Sequence, residues 1–357
     1  FRGFLEIITM DENLARFIRY VKIDTQSNDE SEATPSMAKE LDLTRVLLKE
    51  LEELGIKGEI DEYGRLYAKL PGESGMDVIG LNAHVDTATE ISGKDVKPQL
   101  IENYDGGRIV LNDEYSMSPK EFDTLKGHEG DTLVVTSGDT LLGGDDKAGV
   151  AVIMSVLAYY VAHPEVKHHP IAILFTPDEE IGRGPEHFDA KKFGADYAYT
   201  VDGDYPDHID IENFNAAHAD VEITGVGIHP GEAKGKMVNA ITLANEFDGL
   251  LDPMARPQFT EGFEGFNHCN DIKGSSAFVT MHYIIRNHDP KLLEDQKKQF
   301  LHAKDVLSKK YPGAKVEVKI GDDYRNMKEI IDKDPRALNH AKEVFNKLGI
   351  EPIKSII

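Results

Sequence analysis

The chain reads HHPIAILF over residues 168–175 and TPDEEIG over residues 176–182, and the junction between the two decides the fold. From Pro170 to Phe175 the residues are apolar without a polar interruption. Strands buried on both faces read this way, and they belong to mostly parallel sheets covered by helices on either side. Immediately afterwards come Asp178, Glu179 and Glu180. Like charges that close repel, and burying even one is costly unless something positive stands among them. Two readings follow: a solvated acidic loop, or ligands gathered around a multivalent cation.

Three further stretches place metal-capable residues after a predicted strand, at the sheet edge where open α/β folds bind ligands. NAHVDT (82–87) holds His84 and Asp86. Residues two apart on a strand share a face, so Asp86 can reach the second imidazole nitrogen and fix the tautomer. LLGGDDKAG (141–149) holds Asp145 and Asp146 after a glycine pair that lets the backbone turn tightly, and Lys147 opens a long apolar helix. TVDGD (200–204) holds Asp202. Each alone has a plainer explanation: acids at a helix N-terminus favour its dipole, and an aspartate after a strand is commonly a turn residue. Together they are harder to obtain from surface composition. Carboxylates with an imidazole, and no thiolate cluster, suit zinc; two zinc ions about 3.5–4 Å apart can share one bridging carboxylate.

The bulk numbers narrow the function. Acidic residues outnumber basic ones 64 to 40, a formal charge of −24. That charge repels phosphate backbones and anionic lipid, which argues against nucleic-acid and membrane partners. The single cysteine, Cys269, rules out an intramolecular disulfide and fits a reducing, cytoplasmic setting. The longest apolar run, AGVAVIMSVLAYYVA (148–162), is shorter than the ~18 residues a membrane span needs and reads as a core helix. Met10 reads as a natural start, so residues 1–9 are expected to be non-native.

Along the chain, residues 10–207 alternate helix and strand patterns, the expectation for a mostly parallel α/β domain. Thr34-Pro35 is read as N-cap and first position of a helix carrying Leu43, Leu47 and Leu51. Residues 57–70 read as a hairpin around Gly64, and 88–130 as a polar excursion before the strand TLVVTS (132–137). The style changes near 208. Residues 208–326 read as four strands and two helices, an inserted α+β module of βαβ units. Two of its strands are placed in 210–227, one in 275–289 and one in 315–324. Residues 327–357 are expected to return, cut short, to the first domain.

HVDT (84–87), GGDDKAG (143–149), TPDEEIG and VDGD (201–204), in this order, resemble the M20 metallopeptidase family. ENFNAA (212–217), HPGEAKGKMVNA (229–240), TEGFEGF (260–266) and YIIRNHD (283–289) narrow the likeness to its tripeptide aminopeptidases. The resemblance runs from about Met10 to Ile357. It implies a zinc-peptidase catalytic domain with an inserted lid, and two Zn2+ ions. His84 and Asp202 would bind one zinc, Asp145 would bridge both, and Glu180 would bind the second. Glu179 would be the general base and Asp86 would orient His84. His229 would stabilise the oxyanion and Arg286 would clamp the substrate carboxylate, with Asn239 and Lys234 adding polar contacts. A cis peptide after Asp145 is also implied. The family takes the last ligand of the second zinc from a histidine beyond a Gly-rich stretch. This chain ends at Ser355-Ile356-Ile357, where that stretch begins, so the second site is expected to lack that ligand.

The implied activity is release of the N-terminal residue of tripeptides through attack by a zinc-activated water. Two alternatives stand beside it: another M20 amide hydrolase (a dipeptidase, carboxypeptidase or N-acyl amino-acid deacylase), and a peptide- or metal-binding relative without turnover. Without the family, His229 reads as a structural turn histidine and Arg286 as a surface ion pair. The sequence leaves the oligomeric state open.

Overall fold

The computed structural model of the chain describes residues 10–203 and 205–355, so the expectation for residues 1–9 lies outside the described residues. The contacts separate into two units that meet in sequence at Pro206 and Asp207.

The first unit contains α1 (Met10–Tyr20), α2 (Glu40–Glu53), β1 (Gly58–Ile60), β2 (Leu66–Leu70), β3 (Ile79–His84), β4 (Gln99–Ile101), β5 (Ile109–Val110), β6 (Ser116–Met117) and β7 (Leu133–Val135). There follow α3 (Gly144–Ala162), β8 (Ile171–Thr176), α4 (Ala190–Phe193) and β9 (Tyr197–Thr200). Its main sheet has the order β1-β2-β8-β3-β9. β3 pairs in parallel with both β8 and β9, while β2 is antiparallel to β1 and β8, so four of the five strands run the same way. All six residues of β8 are buried, as the apolar run before TPDEEIG requires. Ile171, Ile173 and Phe175 pack with Leu43, Leu47 and Leu51 of α2 and with Ile153, Met154 and Leu157 of α3. Ala172 and Leu174 point the other way, onto Tyr67 and Phe193.

Two expectations are corrected here. Helix α2 begins at Glu40, not at Pro35. The amides before it are used elsewhere: Ser36 donates to Asp178 and Met37 to the side chain of Glu40. TLVVTS does form a strand, but β7 pairs with β4 in a separate two-stranded sheet. The polar excursion has a small core of its own, Tyr104, Ile109 and Leu125, which holds the β4/β7 and β5/β6 pairs together.

The second unit opens with β10 (His208–Asp210) and β11 (Asn215–Thr224), followed by α5 (Ala240–Gly249), β12 (Phe266–Gly274) and β13 (Phe278–Asn287). It continues with α6 (Pro290–Lys310), β14 (Lys315–Tyr324), α7 (Lys328–Lys333), α8 (Arg336–Leu348) and β15 (Ile353–Ser355). Four strands form an antiparallel sheet in the order β12-β13-β11-β14. The succession β11-α5-β12-β13-α6-β14 is therefore two split βαβ units. Burial alternates strictly along β13, and Met281, Tyr283 and Ile285 meet Phe247 of α5 and Phe300 and Leu307 of α6. The strand count is as expected, but its members differ. The stretch 210–227, read as two strands, supplies only β11 to this sheet and β12 makes the fourth, while β10 pairs in parallel with β15 in a separate ribbon. β12 (FNHCNDIKG) lacks period-2 alternation and carries a bulge between Cys269 and Asp271, which is why the pattern missed it. Among the described residues no helix is long and apolar enough to cross a membrane.

Candidate metal centre

The parallel strands of the first unit deliver their C-terminal residues to one edge. His84 is the last residue of β3, Glu179 and Glu180 follow β8, and Asp202 follows β9. Asp145 reaches the same place by another route. It stands at the start of α3, beyond the β7 ribbon, rather than on a strand of the main sheet. There the backbone turns through Gly143 in the left-handed region, φ 77°, and the helix proper begins only after Asp146. The Asp145–Asp146 peptide is cis. Gly149, one turn on, lies so close to the end of β9 that a Cβ would stand 1.8 Å from the Val201 carbonyl oxygen. Only glycine allows α3 this near, and the near approach brings Asp145 and Asp202 to one imidazole.

His84 is almost wholly buried. Its Nδ1 stands 3.1 Å from the Asp86 carbonyl and 3.3 Å from the Asp86 carboxylate. With Nδ1 donating there, release of the Nε2 proton would leave the Nε2 lone pair for a ligand bond. Nε2 lies 2.8 Å from Asp145 Oδ1, 3.6 Å from Asp202 Oδ2 and 3.9 Å from Glu179 Oε2. His84, Asp145 and Asp202 each offer one ligand atom, all within 4.8 Å of one another, and Glu180 stands outside that set. The donors fit a divalent cation: one imidazole nitrogen and two carboxylate oxygens converge, with a third carboxylate within 4 Å of the imidazole.

The titration behaviour shows how much positive charge the acids call for. Burial pulls the His84 pKa down, but Asp145, Asp86 and Asp146 outweigh it and raise it to about 11. Burial and the Asp145 charge push Glu180 up to about 7, and burial with its acidic neighbours takes Asp202 to about 6. Glu179 also moves up, chiefly through burial, whereas its bond to His84 holds Asp145 down. A group of carboxylates that draws protons this strongly is what a bound cation neutralises.

Sequence reasoning gave three side chains no role. Asp146 is buried and accepts the backbone N–H of His84 at 3.1 Å and that of Gly149 at 3.1 Å, fixing the strand end to the helix start. Asp178 and Glu40 are wholly buried behind the Glu179–Glu180 turn. The signal for Glu40 was present: it shares a helical face with Leu43, Leu47 and Leu51, so a carboxylate sits where the core is. Asp86 does more than orient His84, since its two oxygens also accept the N–H groups of Glu179 (3.0 Å) and Glu180 (3.1 Å).

The remaining expected site residues lie in the second unit. His229 caps a short 3₁₀ turn, its Nδ1 accepting the Gly231 N–H at 3.2 Å, so the ring proton sits on Nε2. Lys234 follows on the same connection, and Asn239 caps α5 by accepting the Ile241 N–H at 2.9 Å. Arg286, on β13, donates to the carbonyls of Ala217 (3.2 Å) and Ile285 (3.0 Å) and lies over the Tyr324 ring.

With this arrangement in view, the comparisons are direct. The chain is 47% identical to peptidase T of Desulfitobacterium hafniense over 348 residues, 96% of this chain and 85% of that protein. The chain belongs to the peptidase T family. Residues 211–314 of this family member match the peptidase dimerisation domain of the M20 group. Its fold matches the crystal structure of aminopeptidase PepT from Bacillus cereus with a TM-score of 0.73, at 22% identity over 97% of this chain and 83% of that one. It also matches a dinuclear metal binding peptidase of the M20 family from Bacillus subtilis, with a TM-score of 0.57 at 14% identity over 96% and 81% of the two chains.

Proposed function

We infer that this member of the peptidase T family is a zinc-dependent aminopeptidase that releases the N-terminal residue of tripeptides in the cytoplasm. The observation that carries the reading is the convergence of Asp145, Asp202 and Glu179 on His84 Nε2, at the carboxyl edge of a peptidase T fold. In this reading His84 and Asp202 would hold one zinc and Glu180 would serve a second, with Asp145 available as a ligand to both. Zinc bound there would supply the charge that makes a water acidic and polarises the scissile carbonyl. Glu179, its carboxylate raised above the ordinary range, takes up the proton of the attacking water and returns it to the leaving amine. His229 presents an Nε2 proton suited to an oxyanion, and Arg286 offers a guanidinium suited to the C-terminal carboxylate of the peptide. Asn239 and Lys234 add polar contacts. The accompanying domain division puts 10–207 and 327–357 in the catalytic domain and 208–326 in the lid. The single cysteine fits the reducing compartment.

A tripeptide with a free amine and the same peptide N-acetylated, each incubated with the protein and zinc and analysed by mass spectrometry, test the reading. Loss of the first residue from the free peptide alone supports it. Cleavage of the blocked peptide moves the activity to a carboxypeptidase or deacylase, and silence on both removes it.

A further inference from the structure

Asp178, the first carboxylate of TPDEEIG, takes no part in the chemistry above, and neither does Glu40. Both are wholly buried, and together with Ser36 they form a closed knot. The Ser36 N–H reaches both oxygens of Asp178 at 2.9 Å each. Asp178 in turn donates its own N–H to Glu40 Oε2 at 3.1 Å. Glu40 Oε1 accepts the Ser36 hydroxyl and the Met37 N–H, each at 2.9 Å. Beyond the knot, the N–H groups of Glu179 and Glu180 end on Asp86. Three consecutive amides of the turn, 178 to 180, therefore all end on buried carboxyl groups. Asp178 needs the holding, since its φ of 58° lies in the left-handed region. Asp86 anchors the turn from one side only, and a turn anchored on one side can still swing about that anchor.

We propose that Glu40 is a positioning residue for the reaction: by holding the Asp178 amide and, through Ser36, the Asp178 carboxylate, it sets the direction in which Glu179 and Glu180 leave the turn. The proposal rests on the reading of those two glutamates as base and ligand. A carboxylate on the apolar face of α2 thus serves the edge of the sheet behind which that helix packs.

Glu40→Gln tests it in the full chain. The substitution keeps an acceptor for Ser36 and Met37 but turns an NH2 group toward the Asp178 N–H. With zinc bound, kcat on a free tripeptide is expected to fall about 10- to 100-fold while KM stays within about twofold, the range for residues that orient others. In the metal-free protein, hydrogen exchange of residues 177–184 is expected to quicken by about tenfold. Ser36→Ala, which removes the hydroxyl bonds to Glu40 and from the Asn28 N–H but keeps the Ser36 N–H on Asp178, should move both readouts less, and the two changes should be non-additive in combination. If Glu40→Gln melts earlier but keeps wild-type kcat and wild-type exchange over 177–184, Glu40 is structural and the proposal falls. Should Glu40→Gln not fold, Ser36→Ala decides alone, and unchanged kcat and exchange overturn the idea. A wild-type protein that leaves the tripeptide intact overturns the aminopeptidase reading instead, and the exchange result still decides what Glu40 does.

Discussion

Glu179 and Asp145 are acids of one group, yet their surroundings fit them for opposite work. Asp145 bonds His84 Nε2 at 2.8 Å, and that bond holds its carboxyl below the usual range, as suits a permanent ligand. Glu179 lies 3.9 Å from the same nitrogen and is shifted upward by burial, as suits a group that must take up a proton and release it. Their substitutions should therefore separate. Glu179→Ala is expected to lower kcat by about 10²-fold or more while zinc content, read by atomic absorption, stays at the wild-type level. A variant that still turns over at the wild-type rate removes Glu179 as the base. Asp145→Ala is expected to lose zinc on dialysis, and retention of the wild-type complement would show that it is not a shared ligand.

At the level of elements, some of the arrangement was open to sequence reasoning and some was not, for separable reasons. The unbroken apolar run before TPDEEIG identified β8 because strands buried on both faces lose their alternation. His84, Glu179, Glu180 and Asp202 could be singled out as candidates because each stands at or shortly after the end of a main-sheet strand. Asp145 was recognised on a wrong premise: the strand before it belongs to a ribbon, and contact with Val201 at Gly149, not strand order, brings the start of α3 to the site. That difference is testable. Gly149→Ala places a methyl against a backbone carbonyl, and such overpacking costs roughly 1–3 kcal/mol. The melting temperature should fall and zinc should bind more weakly, because α3 and β9 carry one ligand each. Zinc affinity equal to wild type would mean the close approach is not what joins them. β12 was missed because a bulged edge strand with polar faces carries no period, and nothing in the pattern of β15 pointed to its pairing with β10. The last element of note is the end of β13. There His288, buried and set 4.2 Å from the Phe214 ring and 5.0 Å from the Phe263 ring, has its pKa lowered, mainly by burial. A histidine lowered in the fold binds fewer protons folded than unfolded. Its contribution is present above the unperturbed pKa of about 6.5 and is lost as the pH falls through that value and below. His288→Phe keeps the ring and should flatten the loss of thermal stability between pH 7 and pH 5; an unchanged slope would assign that loss to other groups.

For the whole molecule, the net charge of −24 and the site have a common consequence. Part of the acidic excess is concentrated at one sheet edge, where Asp86, Asp145, Asp146, Glu179, Glu180 and Asp202 surround a single imidazole. His84, Asp145, Glu180 and Asp202 all precede Pro206, so a cation bound by them would be held by residues of the first unit. A ligand that binds only the folded state stabilises it by mass action, about 2.7 kcal/mol when free zinc stands at 100 times its dissociation constant. For a domain of roughly 200 residues that corresponds to a shift of about 5–10 °C in melting temperature. Chelation should therefore lower the melting temperature of the first unit by about that amount, and zinc should restore it. Hydrogen exchange measured in the same samples should rise over 82–87, 143–150, 176–184 and 200–203, the segments that carry the acids and the imidazole. The β11–β14 sheet should exchange as before. Protection lost uniformly along the chain would place the effect of the metal elsewhere than at this edge. No change at all would show that these residues, however closely they crowd, hold their charge without a cation.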